Sequence, residues 1–244
     1  MDLYRITHPL RVAKGSHQPG SGKGCAMNVL SYINGDEVVC DFPAGSARPL
    51  SLLVQTANDL LAESDGYLSP DNSVLALGLA WQTVGTADVP PTVVHAWVAE
   101  LLTNPTWGVV RYAKITARKT IVDIAELHRA AASGKMPAVA EWNAADRAAL
   151  AVSLTLSGAG MHALWAAYES TAFVGDHSLT ALDQTVARVQ NAHALASGDT
   201  ATASRMTELT GHAIASWRAL AGLNTGKVRD VIPAPPARDL QVVA

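Results

Sequence analysis

The chain has 244 residues, a length that fits one large domain or two modest ones at roughly 150 residues per domain. Apolar residues make up 49% and charged residues 16%, a balance that excludes an intrinsically disordered protein. The 18 basic and 21 acidic residues leave a net charge of −3. The basic surface that duplex nucleic acid requires is missing, so no duplex nucleic acid is expected as a partner.

The first 48 residues read as a Gly/Pro-rich segment of loops with one short helix. The stretch from Cys25 to Asn34 predicts that helix, and Gly35 is suited to end it because glycine adopts the left-handed conformation without strain. Residues 37–42 predict a single short strand, since valine and phenylalanine favour extended structure.

From residue 49 to 224 nearly every segment has the apolar spacing of an amphipathic helix. The 43 alanines strengthen this assignment, because alanine loses no side-chain entropy in a helix. The predicted helices cover residues 50–61, 71–84, 90–102, 106–117, 120–132, 137–156, 160–172, 178–197 and 206–220. The fold class is therefore predicted to be all-α, a multi-helix bundle behind a loop-rich N-terminal segment. Residues 225–244 are expected to form a mobile, proline-containing tail.

One uncharged stretch, residues 148–168, is long enough to cross a bilayer. It contains several polar residues and is interrupted by Gly158-Ala159-Gly160, so it indicates two helices meeting in a protein core. The first residues lack a basic region followed by an apolar run, so no signal peptide is expected. These observations predict a cytoplasmic protein that does not interact with membranes.

The strongest candidate for chemistry is Cys25, at the predicted start of a helix directly after a glycine-rich loop. A helix N-terminus lowers the pKa of a thiol, and the thiolate is the reactive form. His17 lies eight residues earlier, and a folded loop would bring its imidazole to the sulfur. Asp41 would then orient the imidazole, which predicts a cysteine-dependent acyl-transfer or hydrolytic enzyme.

Two other interpretations of these residues remain open. Thiolate, imidazole and carboxylate also bind zinc, so His17, Cys25 and Asp41 would equally suit a structural metal site, with His8 or Cys40 as the fourth ligand. A cysteine on an apolar helix face is also often a small core residue. The sequence therefore leaves the cofactor unknown.

The glycine-rich loop itself does not match a phosphate-binding loop. The residue five positions before Gly22 is His17 and not glycine, and Gly24 stands where a Mg²⁺-binding hydroxyl is needed. Among the other histidines, His193 lies on a helix seam, where a buried neutral histidine and a ligand fit equally well. The remaining ones show no partner at helical spacing.

A spaced pattern of glycine and polar residues extends over positions 15–59. Its residues are Gly15, Ser16, His17, Gly24, Cys25, Met27, Tyr32, Gly35, Asp41, Pro43, Pro49, Asn58 and Asp59. The pattern resembles an uncharacterised family that is widespread in actinobacteria and their bacteriophages, with the form GSH…GxCxME…Y…G…DxP…ND. The chain departs from it at Asn28, where the family has glutamate, and at Cys40, which precedes Asp41 instead of following the proline.

The resemblance implies a phage or actinobacterial protein and supplies no established activity. The leading hypothesis is a binding protein whose helical bundle presents a groove to a protein partner, in the host cytoplasm if phage-encoded. The enzyme that uses Cys25 with His17 and the metal site at the same residues are the alternatives. The oligomeric state is left open.

Overall fold

The computed structural model describes residues 11–17, 21–174 and 178–223. His8 and the tail at 225–244, both named in the sequence predictions, lie outside these ranges.

Nine α-helices account for most of the described residues, which confirms the all-α prediction. They are α1 (Ala26–Asn34), α2 (Arg48–Leu60), α3 (Pro70–Gln82), α4 (Pro91–Thr103), α5 (Ile115–Ala132), α6 (Val139–Ser153), α7 (Gly158–Ser170), α8 (Ser178–Ser197) and α9 (Thr202–Leu220). Prolines occupy the first turn of α2, α3 and α4, where the missing N–H costs no hydrogen bond. Gly35 ends α1 in the left-handed conformation as predicted, at φ 80°.

The predicted strand at residues 37–42 is wrong. Side chains satisfy its backbone instead: the Cys40 N–H donates to Ser31, and the Asp41 carbonyl accepts from Gln55. The strands that form are β1 (Arg11–Val12) and β2 (Lys23–Gly24), which pair in parallel. This pairing places Arg11 and Val12 beside the residues that lead directly into α1.

The predicted helix at 106–117 and the predicted helix start at Thr120 are also wrong. The side chain of Asn104 accepts hydrogen bonds from the N–H groups of Thr106 and Trp107, which forms a turn in place of a helix. A short 3₁₀ helix follows at Val109–Tyr112, and α5 begins at Ile115.

The uncharged stretch at 148–168 is divided between α6 and α7, and residues 154–157 separate these helices. None of the helices in the described ranges is both long enough and apolar enough to span a bilayer.

One hydrophobic core joins the N-terminal segment to the helices. Met27 and Leu30 of α1 belong to it together with Trp97 of α4 and Trp217 of α9. The two indole rings meet edge to face at 5.1 Å, and the Trp97 N–H donates to the carbonyl of Ala213. The segment that carries the candidate site is thus packed on the bundle through its own apolar residues.

Candidate ligand-binding site

The start of α1 is held by reciprocal hydrogen bonds between Cys25 and Asn28. The Cys25 sulfur accepts from the Asn28 N–H at 3.5 Å, and the Asn28 side-chain oxygen accepts from the Cys25 N–H at 3.0 Å. This is a capping box, in which the third helical residue is usually glutamate or glutamine. In this chain Asn28 performs that role.

The carboxylate of Asp41 gathers three neutral donors from separate parts of the chain. Oδ1 accepts from the Asn28 amide at 2.8 Å and from the Cys25 thiol at 3.6 Å. Oδ2 accepts from the Ser16 hydroxyl. A carboxylate offers about four acceptor positions, so one remains for a further donor.

A buried asparagine fixes the returning loop against α1 and α2. Asn58 is fully buried; its oxygen accepts from the Ala26 N–H at 3.0 Å, and its amide donates to the Ala13 carbonyl at 3.0 Å. Asp59 next to it accepts from the N–H of Gly15 at 2.8 Å. Gly15 has a φ of +84°, which only glycine adopts without strain. Several residues of the 15–59 pattern therefore have a common structural role.

These contacts shape an open pocket of about 380 Å³, here called the Asp41 pocket. Its lining residues are Ser16, His17, Asn28, Val39, Cys40, Asp41 and Phe42. The volume lies in the range of small-ligand sites, roughly 300–1,000 Å³. In the described part of the chain, Asp41 is the only acidic residue that lines it, and no lysine or arginine does.

The structure brings His17 and Asp41 to this pocket and places Cys25 behind it, beneath the carboxylate. The imidazole and the thiol share no hydrogen bond within the described residues. His17 Nε2 is buried there and has no partner. Sequence reasoning did not select Ser16 and Asn28 as site residues, yet both donate hydrogen bonds to the Asp41 carboxylate. His17 donates none to it within the described residues, so the predicted orientation of the imidazole by Asp41 is not formed.

The pKa of Cys25 is raised to about 12, opposite to the predicted direction. Burial is the largest cause, because the side chain is 2% exposed and desolvation penalises the thiolate. The N–H groups of Asn28 and Met27 lower the pKa as a helix N-terminus should, but the negative charge of Asp41 acts against them. At neutral pH the sulfur is therefore a protonated thiol that donates to Asp41.

We expect iodoacetamide to modify Cys25 more than about tenfold more slowly than Cys40 in the native protein near pH 7.5. Cys25 is buried and protonated, whereas Cys40 is partly exposed. Peptide mass spectrometry over time gives both rates. In urea the two rates should converge, which controls for local sequence. Equal native rates would contradict the buried, protonated state of Cys25.

The donor set for a metal ion is incomplete in the described ranges. No group of three or more histidine, cysteine, aspartate or glutamate side chains converges there to hold an ion.

Two other histidines, which have no partner at helical spacing in the sequence, form a buried pair across helices. His95 Nδ1 lies 2.9 Å from His128 Nδ1, and His128 Nε2 lies 3.0 Å from the Ser170 hydroxyl. Because that hydroxyl donates to the Ala167 carbonyl, it accepts from His128, which in turn accepts from His95. Burial, with a smaller contribution from the neighbouring His95, lowers the pKa of His128 to about 3.

His193 is buried and neutral, which is one of the two alternatives that the sequence left open. Its Nε2 donates to the Trp107 carbonyl at 2.9 Å, which leaves Nδ1 to accept from the Tyr112 hydroxyl at 3.1 Å. Burial is the main reason that its pKa is lowered to about 4.

Comparisons with protein-family models, with curated proteins and with solved structures found no match to this chain.

Proposed function

We propose that this chain is a binding protein that holds a lysine side chain of a partner protein in the Asp41 pocket. The observation that carries the proposal is the charge of this pocket: Asp41 is bonded only to neutral donors and has no cationic partner among the described residues. An ammonium group would supply both the missing donor and the missing positive charge.

The shape of the pocket supports an amine on an apolar stem. Val39 and Phe42 form apolar walls beside the carboxylate, and the methylene groups of lysine pack on such surfaces. The wall is fixed from outside, because Arg48 stacks 3.9 Å from the centre of the Phe42 ring and pairs with Asp183 of α8 at 2.9 Å. A rigid wall lowers the entropic cost of binding.

The proposed setting is the cytoplasm of an actinobacterium or of the host of a phage. The resemblance at residues 15–59 supports the origin. The free thiols of Cys25 and Cys40 support a reducing compartment.

The position and the protonation state of Cys25 do not favour a cysteine-dependent reaction. Cys25 does not line the pocket and its thiol is protonated at neutral pH. Catalysis at sulfur needs an accessible thiolate.

A nuclear magnetic resonance titration with Nα-acetyl-lysine amide tests the proposal. The wild-type protein should show saturable shifts of the backbone amides around Ser16 and Asp41. Asp41→Asn should weaken binding by about tenfold or more, because the charge-assisted hydrogen bond is lost. Nα-acetyl-norleucine amide, which has a similar stem and no charge, should not bind.

Asp123→Asn is the matched control, since Asp123 is exposed on α5 and pairs only with Lys119 of its own helix. It should leave lysine binding unchanged. Equal shifts with the norleucine probe, or unchanged binding by a folded Asp41→Asn protein, would contradict the proposal.

A further inference from the structure

A second cavity, here called the Arg111 pocket, lies where residues 106–111 meet α8 and α9. Its volume is about 70 Å³. The polar side chains around it are Thr106, Arg111, His193, Arg205, Glu208 and His212. The α9 members share one face of that helix, because they are three or four residues apart. The cavity is well below the roughly 300 Å³ of a small-molecule site, so it suits one small chemical group.

Two guanidinium groups, those of Arg111 and Arg205, line this one cavity. Arg111 and Arg205 both lower the pKa of His193, after burial as the main cause, and both act in the same direction on the pKa of Tyr112. His193 cannot offset these charges, because both of its ring nitrogens are engaged and it is neutral. Two like charges thus line one small cavity.

The charges of the arginines are only partly compensated. Arg111 donates to the carbonyl of Thr106, which positions its guanidinium, and it has no carboxylate partner in the described ranges. Arg205 lies 3.6 Å from Glu208, and both side chains are largely exposed. Such an exposed pair on one helix contributes little. The carboxylate of Glu208 therefore offsets only part of the positive charge of the two arginines.

We propose that the Arg111 pocket is a binding site for a phosphate group, held between Arg111 and Arg205. Guanidinium groups present several N–H donors in a plane that matches phosphate oxygens. His212 lies at the exposed rim and adds a further donor. The group comes either from free inorganic phosphate or from a phosphorylated side chain, which share this chemistry. The site is separate from the Asp41 pocket and does not depend on the function proposed there.

Isothermal titration calorimetry with two probes tests this site in a buffer free of other oxyanions. The probes are inorganic phosphate and N-acetyl-phosphoserine methylamide. Binding of either probe supports the site, and the tighter one identifies the source. Arg111→Gln and Arg205→Gln should each weaken binding by about tenfold, as expected for loss of a charge-assisted pair.

Glu208→Gln provides a test of opposite sign. It removes the carboxylate that competes for Arg205, so phosphate should bind several-fold more tightly. Arg118→Gln is the matched control, because Arg118 is exposed on α5 and does not line this pocket. The Arg118→Gln protein should bind both probes with the affinity of the wild type. The proposal is overturned if neither probe binds in the millimolar range, or if folded Arg111→Gln and Arg205→Gln proteins bind like the wild type.

Discussion

Replacing Asn58 with alanine is expected to lower the free energy of unfolding by about 2–5 kcal/mol. The substitution removes the partners of the Ala26 N–H and the Ala13 carbonyl, both of which lie in buried residues. Each buried polar group left without a partner costs roughly 1–3 kcal/mol. The same change releases the loop that carries Ser16 and His17, so lysine binding in the Asp41 pocket should weaken together with stability.

Chemical denaturation followed by circular dichroism measures this loss. Asn143→Ala is the matched control, because Asn143 is exposed in the middle of α6 and alanine is the better helix former there. Its unfolding free energy should stay the same or rise slightly. A cost below about 1 kcal/mol for Asn58→Ala would show that water replaces the lost bonds.

Acidification from about pH 7 to about pH 5 is expected to lower the free energy of unfolding by about 2 kcal/mol for each strongly shifted buried histidine. His128 and His193 have pKa values lowered to about 3 and about 4, against an unfolded value of 6.5. At a pH between the folded and the unfolded pKa, each of these histidines is protonated in the unfolded chain and neutral in the folded one. The stabilising effect is therefore full above pH 6.5 and is lost as the pH falls toward the folded pKa.

The environment of His128 explains this resistance to protonation. Ser170, Trp142 and Phe173 lie against the His95–His128 pair, and none of them offers a negative charge. Each added proton would therefore stay uncompensated in the core.

Denaturant titrations at about pH 7, 6 and 5 give the pH dependence. His128→Gln should reduce the slope below about pH 6 by roughly 1.4 kcal/mol per pH unit, the amount for one proton. The exposed His212→Gln protein should keep the wild-type slope. An unchanged slope in His128→Gln would mean that this histidine is protonated in the native state.

The helical architecture could be predicted because each helix carries its own signal. Apolar residues at three- and four-residue intervals identified α8 and α9, and the glycines after α1, α5, α8 and α9 all have a positive φ, which favours glycine. The elements that failed depend on tertiary context. Strands of two residues are too short to show a periodic pattern. The turn after Asn104 depends on a hydrogen bond to its side chain, and the apolar spacing of the sequence does not reveal that bond.

The candidate site was predictable only in outline. The spacing of glycines suggested a loop that folds back, and the structure places His17 and Asp41 on one pocket. The protonation state of Cys25 could not be predicted, because the helix N-terminus and burial act in opposite directions and only packing determines which is larger. The His95–His128 pair and the Arg111 pocket join residues that are distant in sequence, so their contacts depend on how the helices pack.

Asn28 decides which kind of chemistry the wall of the Asp41 pocket supports. Its amide group faces two ways: the oxygen caps α1 and the nitrogen donates to the carboxylate. Glutamate at this position would cap the helix equally well but would put a second acid against the first. Two carboxyl groups in contact raise the pKa of one of them, so that this one holds a proton. Because asparagine stands there, Asp41 is the only acid at this wall in the described residues. A single carboxylate suits binding of a cationic ligand better than acid–base chemistry by two carboxyl groups.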